Sequence, residues 1–177
     1  MNAGEWRNVL LKMEPNGKPW ILDGLADAMA GDMVVNYEID TPTRQQHFLS
    51  QCAHESDHFR TTQEYASGAA YEGRKDLGNS HKGDGRRFKG RGLIQLTGRA
   101  NYAAAEKALG APFLDQPELI ERFPFAADVS GWFWQSHGLN QLADKDDVKA
   151  VTRRVNGGLN GLASRTALLQ TARTMIG

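Results

Sequence analysis

The sequence is most distinctive at residues 89–102, which read Lys-Gly-Arg-Gly-Leu-Ile-Gln-Leu-Thr-Gly-Arg-Ala-Asn-Tyr. The central part, 91–97, is a short, mostly apolar run between glycines, a pattern that predicts a strand or an extended segment. The glycines at 90, 92 and 98 would let the backbone come close to a bulky ligand, because they carry no side chain. This stretch is therefore the first candidate for a binding surface.

Helical periodicity extends on both sides of this stretch. Helices are predicted over 6–13, 20–30, 101–109, 125–136, 146–155 and 162–176, and from residue 42 to about 57–60. The last of these has a clear start, because Thr41 can cap it and Pro42 suits the first helical position. Residues 64–91 are polar and glycine-rich. The pattern predicts a mainly α domain, or an α+β domain with a very small sheet.

Length and charge narrow the possible organisation and partners. A chain of 177 residues is expected to form one domain, with the helices of 1–40 packed on a core built from 41–177. The net charge is zero, so no nucleic-acid partner is expected. Residues 74–99 nevertheless hold eight lysines and arginines and only two aspartates. They form either a solvated loop or a basic wall beside a cleft.

Cys52 is the only cysteine, so no intramolecular disulfide is expected and a reducing compartment is permitted. The first residues, 1–6, do not begin a basic segment followed by an apolar run, so we expect no signal peptide. No stretch approaches the length of a membrane-spanning helix, so no stable membrane insertion is expected. We also expect a monomer that needs no cofactor or metal.

Three carboxylates follow the Thr41 helix and are candidates for acid–base chemistry. Hydrolysis of a glycosidic bond uses one protonated carboxyl group and one ionised group; an inverting enzyme holds them roughly 6.5–9.5 Å apart. Glu55 lies near the end of the helix, where partial burial would favour the protonated form. Glu64 would lie about 13 Å further along a continuous helix, so the chain should turn back near residues 57–60. Glu72 is an alternative partner, and spacing alone does not choose between the two.

Residues 54–58, His-Glu-Ser-Asp-His, also match the H-E-x-x-H pattern of zinc peptidases. The two histidines of that motif must share one helix face, and a third ligand is needed. The candidates for a third ligand are His81, His137, Glu72 and Asp76, none at a typical spacing. A zinc peptidase remains an alternative enzyme, and a catalytically silent glycan-binding domain is an alternative of another class.

Several segments occur in the order found in one known family. Residues 53–56, Glu64, residues 89–102 and the Asn-Gly-Gly at 156–158 together resemble family 19 glycoside hydrolases, the chitinase-like group, and especially its compact phage endolysins and prophage lysozymes. The likeness runs from about residue 40 to the C-terminus. It implies a lysozyme-like, mostly helical fold with a cleft between two lobes, and an inverting mechanism without a metal.

The resemblance also implies site residues. Glu55 matches the general acid, Glu64 the general base of the bacterial branch, and Thr97 a hydroxyl that helps to hold the attacking water. The positions expected to bind substrate or to support the site are His54, Glu72, Gln95, Asn101, Tyr102, Asn156 and Arg165. Two departures from the family matter. Leu93 replaces the usual proline, and plant members place their base further along the chain, nearer to Glu72.

The implied activity is endo-hydrolysis of a β-1,4-linked amino-sugar polymer. The compact, disulfide-free form favours peptidoglycan, with chitin as the alternative substrate. An endolysin of this kind would accumulate in the cytoplasm of a host bacterium. It would reach the cell wall after release by a separate membrane-permeabilising protein.

Overall fold

Ten α-helices carry most of the chain in a computed structural model that describes residues Met1–Gly177. They are α1 Ala3–Met13, α2 Pro19–Ala30, α3 Met33–Asn36, α4 Pro42–Glu55, α5 Asp84–Arg87, α6 Arg99–Leu109, α7 Phe125–Ser136, α8 Leu139–Ala143, α9 Val148–Asn156 and α10 Leu162–Met175. Three 3₁₀ turns lie at Ala69–Tyr71, Lys75–Leu77 and Pro117–Glu121. The prediction of a mainly α domain is confirmed. A helix that crosses a bilayer needs about 20 mostly apolar residues. None of these helices is both long enough and apolar enough to do so.

The predicted strand at 91–97 is wrong. This segment closes into a tight loop, in which the amides of Arg91 and Leu96 each donate to the other's carbonyl oxygen at 3.1 and 2.8 Å. Positive φ angles at Gly92 (+78°) and Gln95 (+57°) turn the chain inside the loop. The expected small sheet is thereby reduced to two isolated bridges, which pair Arg91 with Leu96 and with Gln63.

Two hydrophobic cores lie on either side of α7. The larger core holds the buried faces of α1, α2, α4 and α10, and the smaller core holds Phe88, Tyr102 and Phe113. Helix α7 contributes to both, and so does the 91–97 loop, which places Ile94 in the larger core and Leu96 in the smaller one. The loop and α7 therefore join two lobes, as the family resemblance implied.

The first forty residues are part of the larger lobe. Trp6 and Leu10 of α1, and Ile21 and Leu25 of α2, are almost completely buried in the same core as Phe48 of α4. Burial of each large apolar side chain in this way stabilises the folded protein by roughly 1.5–3 kcal/mol. These helices are therefore integral to the lobe that carries α4.

Helix α4 begins as predicted and ends at Glu55, where the chain turns sharply. Thr41 Oγ1 accepts the amide of Arg44 at the N-cap. After the helix, Asp57, His58 and Phe59 all have positive φ angles, +50°, +60° and +57°. Three consecutive left-handed residues are costly, at roughly 1–2 kcal/mol each. They wind the chain in the opposite sense to α4 and reverse its direction.

Ser56 holds this left-handed turn together. Its buried Oγ donates to the carbonyl of Cys52 at 2.6 Å and accepts the amide of Phe59 at 3.1 Å. Phe59 itself is fully buried, and its carbonyl accepts the amide of Lys18 at 2.9 Å. These contacts offset the backbone strain and fix the path by which the chain returns toward Glu64.

Candidate active site

A cleft of about 550 Å³ lies between the two lobes. Its lining residues are Glu55, Glu64, Tyr71, Arg74, Leu77, Ile94, Gln95, Leu96, Thr97, Asn101, Phe133, Val155 and Asn156. They come from the end of α4, the segment around Glu64, the first two 3₁₀ turns, the 91–97 loop, the start of α6 and the C-terminal turns of α7 and α9. Six of the residues singled out from the sequence, including two of the three candidate carboxylates, therefore meet in one cavity.

Glu55 is held by an arginine rather than by an apolar pocket. Arg165, a buried residue of α10, donates from Nη2 to Glu55 Oε1 at 2.5 Å and from Nη1 to Gln51 Oε1 at 2.5 Å. Glu55 Oε2 forms no hydrogen bond with the protein, and the side chain remains 18% exposed. Arg165 thus fixes one oxygen of the Glu55 carboxyl group and leaves the other available to a ligand in the cleft.

Glu64 presents two different oxygens. Oε2 accepts the hydroxyl of Tyr71 at 2.9 Å, whereas Oε1 is buried and has no hydrogen-bond partner in the protein. The Glu64 amide donates to the carbonyl of Gly90 at 3.0 Å, which anchors the residue to the glycine-rich stretch. Burial, and then the hydrogen bond to Glu64, raise the pKa of Tyr71, so its hydroxyl remains a donor at neutral pH.

Three polar side chains converge at Gly90. A Cβ atom on this glycine would lie 3.0 Å from Glu64 Oε2, 3.0 Å from Gln95 Oε1 and 3.4 Å from Thr97 Oγ1. Gly90 is buried, so a larger residue would have to displace one of these groups. Glycine is required here because the backbone passes directly beside the cleft's polar groups.

The 91–97 loop and the start of α6 supply a short polar network. Thr97 Oγ1 donates to the carbonyl of Gln95 at 2.9 Å, and Asn101 Nδ2 donates to the carbonyl of Thr97 at 2.7 Å. Across the cleft, Asn156 is exposed at the end of α9, just before Gly157 with its φ of +74°. Amide and hydroxyl groups therefore line the cleft near Glu64.

The structure corrects the placement of Glu72. Its carboxylate accepts the amides of Gly83 and Gly85 at 2.7 and 2.9 Å, and it does not line the cleft. These two backbone hydrogen bonds lower the pKa of Glu72. Both oxygens are engaged in holding the loop before α5, so this geometry favours Glu64 as the partner of Glu55.

His54 and Tyr102 also lie outside the cleft lining, contrary to the expectation that they bind substrate. The His54 ring packs against Gly161, and its Nδ1 lies 3.0 Å from Ser164 Oγ. Burial, and then the charge of Arg165, lower the pKa of His54 to about 4. Tyr102 is fully buried, and its hydroxyl donates to the carbonyl of Lys89 at 2.6 Å. Both residues support the walls of the site, as Arg165 does.

The zinc-peptidase interpretation is wrong for this chain. Helix α4 ends at Glu55, so His58 lies in the left-handed turn and does not continue the helix face of His54. His58 Nδ1 is 2.7 Å from Glu14 Oε1 on the α1 side, whereas His54 faces α10. No group of three potential ligands gathers around either histidine.

The basic segment 74–99 does not form a continuous wall along the cleft. Arg99 forms two hydrogen bonds to Asp84, at 2.8 and 2.7 Å, and Arg91 pairs with Glu121 at 2.7 Å. Of the eight basic residues in the segment, only Arg74 lines the cleft. Arg91 and Arg99 therefore use their charge within the smaller lobe and not along the cleft.

Tyr71 was not predicted as a site residue, and Arg74 was predicted only as part of the basic segment 74–99. Both lie in the polar, glycine-rich region that lacks helical periodicity, so no motif assigned either of them to the site. Phe133 lines the cleft wall from α7. The role of Tyr71 has no signal in the sequence, because only the fold brings its hydroxyl group to Glu64.

Paired carboxylates in a cleft between two helical lobes define a glycoside hydrolase, and the comparison with known proteins names the family. Residues 28–154 match the sequence model of family 19 glycoside hydrolases described as chitinase class I. The match spans well over half of the chain. The protein belongs to this family, and the resemblance to family 19 glycoside hydrolases inferred from the sequence is confirmed.

Relatives and solved structures agree with this membership. A family 19 domain-containing protein of Haemophilus influenzae is 32% identical over an alignment 156 residues long, with 71% of this chain and 76% of that protein covered. An endochitinase of Arabidopsis thaliana is 36% identical over 111 residues, 62% of this chain but only 38% of that protein. Chitinase C of Streptomyces griseus shares the fold, with a TM-score of 0.72 at 24% identity over 97% of this chain and 91% of its own. A bacterial family 19 chitinase does so with a TM-score of 0.76 at 19% identity over 97% and 94%.

Proposed function

We propose that the protein is an endo-acting hydrolase of the β-1,4 bonds in peptidoglycan glycan strands, with Glu55 as general acid and Glu64 as general base. Hydrolysis needs a proton for the departing oxygen and a base for the attacking water. The observation that carries the proposal is that two carboxylates, Glu55 and Glu64, line the same cleft, and that Glu55 Oε2 has no hydrogen-bond partner in the protein.

Glu64 is suited to activate water because Tyr71 orients its carboxylate. The Tyr71 hydroxyl donates to Glu64 Oε2. Gln95 Oε1 and Thr97 Oγ1 lie around Gly90 together with the same Oε2, so a water held there by Thr97 and Gln95 can donate a hydrogen bond to the carboxylate. As the water oxygen bonds to the anomeric carbon, its proton passes to Glu64.

Glu55 supplies the other proton. Its Oε2, which has no protein partner, donates to the glycosidic oxygen as the carbon–oxygen bond breaks. The arginine that holds Oε1 stabilises the carboxylate that remains after this transfer. The reaction balances, because one molecule of water is consumed for each bond that breaks. The departing sugar gains a proton and so a free hydroxyl group, and the anomeric carbon of the other product gains a hydroxyl group with inverted configuration.

Substitution of Glu55 tests the mechanism. Glu55→Gln keeps the size and the contact with Arg165 but cannot donate a carboxylic proton, so kcat on purified peptidoglycan should fall by about 10²–10⁴-fold. Glu118→Gln is a matched control, because Glu118 is an exposed residue of a surface 3₁₀ turn. Mass analysis of the products identifies the new reducing end, and NMR of the first product gives its anomeric configuration. Normal wall digestion by Glu55→Gln would overturn the proposal.

Chitin is the second candidate substrate. The Arabidopsis relative is named an endochitinase, and the structural neighbours are named chitinases. The amide groups of Gln95 and Asn101 suit N-acetyl substituents, which chitin and peptidoglycan share. Chitin oligomers assayed beside peptidoglycan decide between the two polymers, and a kcat/KM greater for chitin would reverse the order proposed here.

A lytic role in a bacterial host goes with the peptidoglycan proposal. Cys52 is the single cysteine and is buried as a free thiol, so the fold uses no intramolecular disulfide and a reducing cytoplasm is compatible with it. We propose that the enzyme accumulates in the cytoplasm as a monomer, where the membrane separates it from the cell wall. It reaches the wall when a separate protein permeabilises the membrane. Expression with and without such a permeabilising protein tests this: lysis should need both, and lysis by the enzyme alone would contradict it.

A further inference from the structure

We propose that Arg74 is a specificity residue that selects anionic, peptide-bearing glycan strands over uncharged amino-sugar polymers. This inference rests on the proposed function and names the substituent that the cleft recognises. Chitin carries no charge, whereas the muramic acid of peptidoglycan bears a lactyl group extended by a stem peptide with free carboxylates. A cation at the right place in the cleft would distinguish the two polymers.

Arg74 is the single cationic side chain among the cleft-lining residues, and it lies close to the base. Its guanidinium carbon is 6.0 Å from the centre of the Tyr71 ring, and the Tyr71 hydroxyl in turn donates to Glu64 Oε2. Nearly half of the Arg74 side chain is exposed, 47%. Only Tyr71 therefore lies between Arg74 and the carboxylate of Glu64. The exposed part of the Arg74 side chain contacts solvent, which a substituent of the bound substrate would replace.

The backbone around Arg74 is held firmly, so the guanidinium is presented from a fixed wall. The Arg74 carbonyl accepts the amides of Leu77 and Asn79 at 3.2 and 3.1 Å, and buried Asn79 also donates from its side chain to the Tyr71 carbonyl at 2.8 Å. The two glycine amides bound by Glu72 tie the same segment to the start of α5. Pre-organisation of this kind reduces the entropy lost on binding.

The ionic partner of Arg74 is exchangeable. Asp76, two residues away, pairs with it, and its side chain is 63% exposed. Exposed ion pairs contribute little, typically less than about 1 kcal/mol. Asp76 holds the guanidinium with two hydrogen bonds, from Nε to Oδ1 and from Nη2 to Oδ2. A carboxylate delivered by a bound strand can form the same two hydrogen bonds, and the strand would shield the new pair from the water that screens the exposed one.

The test is the ratio of kcat/KM on peptidoglycan fragments to that on chitin oligomers of equal length. Arg74→Ala should lower this ratio about 10-fold, the loss expected for one charge-assisted contact, mainly through KM on peptidoglycan. Arg74→Lys retains the charge and should recover part of the ratio. Lys75→Ala is the matched control, since Lys75 is an exposed neighbouring cation that does not line the cleft.

Asp76 provides a test in the opposite direction. Asp76→Ala frees Arg74, so the ratio should rise about 2- to 3-fold, and raising the salt concentration should reduce this gain by screening. The double variant Arg74→Ala/Asp76→Ala should keep the low ratio of Arg74→Ala; a return to the wild-type ratio would show that the effect came from an unmasked Asp76.

An equal loss on both polymers for Arg74→Ala, or an equal shift of the ratio by Lys75→Ala, would overturn the inference while leaving the proposed function intact. Absence of wild-type hydrolysis on either polymer would instead overturn the proposed function.

Discussion

At the scale of single residues, Glu64 and Glu72 differ in what their oxygens contact. Both follow Glu55 in a polar segment, and sequence spacing did not separate them. In the folded chain, Glu72 spends both oxygens on glycine amides, whereas Glu64 keeps one buried oxygen without a partner. Catalytic groups need an oxygen free for the substrate, so the two residues predict opposite results on substitution.

Glu64→Gln should lower kcat by about 10²–10⁴-fold, because an amide cannot accept the proton of the attacking water. Tyr71 can still donate to the amide oxygen, so binding and thermal stability should change little. Glu72→Gln is the comparison: it should lower the melting temperature while kcat stays within a few-fold of the wild type. Steady-state kinetics and thermal melts on both variants check this, and the reverse pattern would make Glu72 the base.

At the scale of elements, the turn after α4 shows what sequence reasoning reached and where it stopped. The short distance needed between the carboxylates predicted that the chain turns back after residue 55, and it does. The left-handed path through Asp57–Phe59 had no signal, because none of the three residues is a glycine. Long-range contacts impose it, including the Phe59 carbonyl accepting the Lys18 amide and His58 lying beside Glu14.

The 91–97 loop was misread for a related reason. A short apolar run between glycines fits a buried strand and a buried loop equally well. The choice depends on the neighbours: the 91–97 loop places Ile94 and Leu96 in different cores, which a straight strand in one sheet would not do. The helix caps, the helical periodicity and the family motif at 89–102 could be recognised in the sequence. The conformation of the loops that carry the site depends on tertiary packing, which the sequence pattern does not show.

The pairing of α5 with α6 predicts a pH dependence of stability. Asp84, almost wholly buried, accepts two hydrogen bonds from Arg99 and one from the His81 amide; the Arg99 contact is the main cause that lowers its pKa to about 2 from 3.8. Because the folded pKa is the lower one, the unfolded chain binds the proton first on acidification. The stabilisation is therefore complete above about pH 5 and is lost progressively as the pH falls toward 2.

The measurement is the free energy of unfolding in urea for wild type and Asp84→Asn at pH 6, 5, 3 and 2. The difference between the two proteins should be constant at the two higher values and should shrink between pH 5 and 2. Asp115→Asn, at an exposed carboxylate with no side-chain partner, should show no such trend. A gap between wild type and Asp84→Asn that stays constant down to pH 2 would contradict the assigned role of the ion pair.

At the scale of the whole molecule, the N-terminal helices and the catalytic lobe share one core. The family match begins at residue 28, so α1 and most of α2 lie before it. Their buried faces nevertheless pack into the core that holds α4, and the Lys18 amide reaches the turn that follows the candidate acid. Shared burial of this extent predicts that these helices do not unfold separately from the site.

Leu10→Ala tests this unity. Leu10 of α1 is fully buried, so removing its side chain should destabilise the protein by about 2–5 kcal/mol. The adjacent Leu11 is 38% exposed, and Leu11→Ala should have a far smaller effect. Unfolding is followed by far-UV circular dichroism for the helices and by near-UV circular dichroism, to which buried Trp134 of α7 contributes. In Leu10→Ala both signals should shift to the same lower midpoint. A loss of helix signal that precedes the near-UV change would show instead that the first two helices are a separable attachment to an independently stable enzyme.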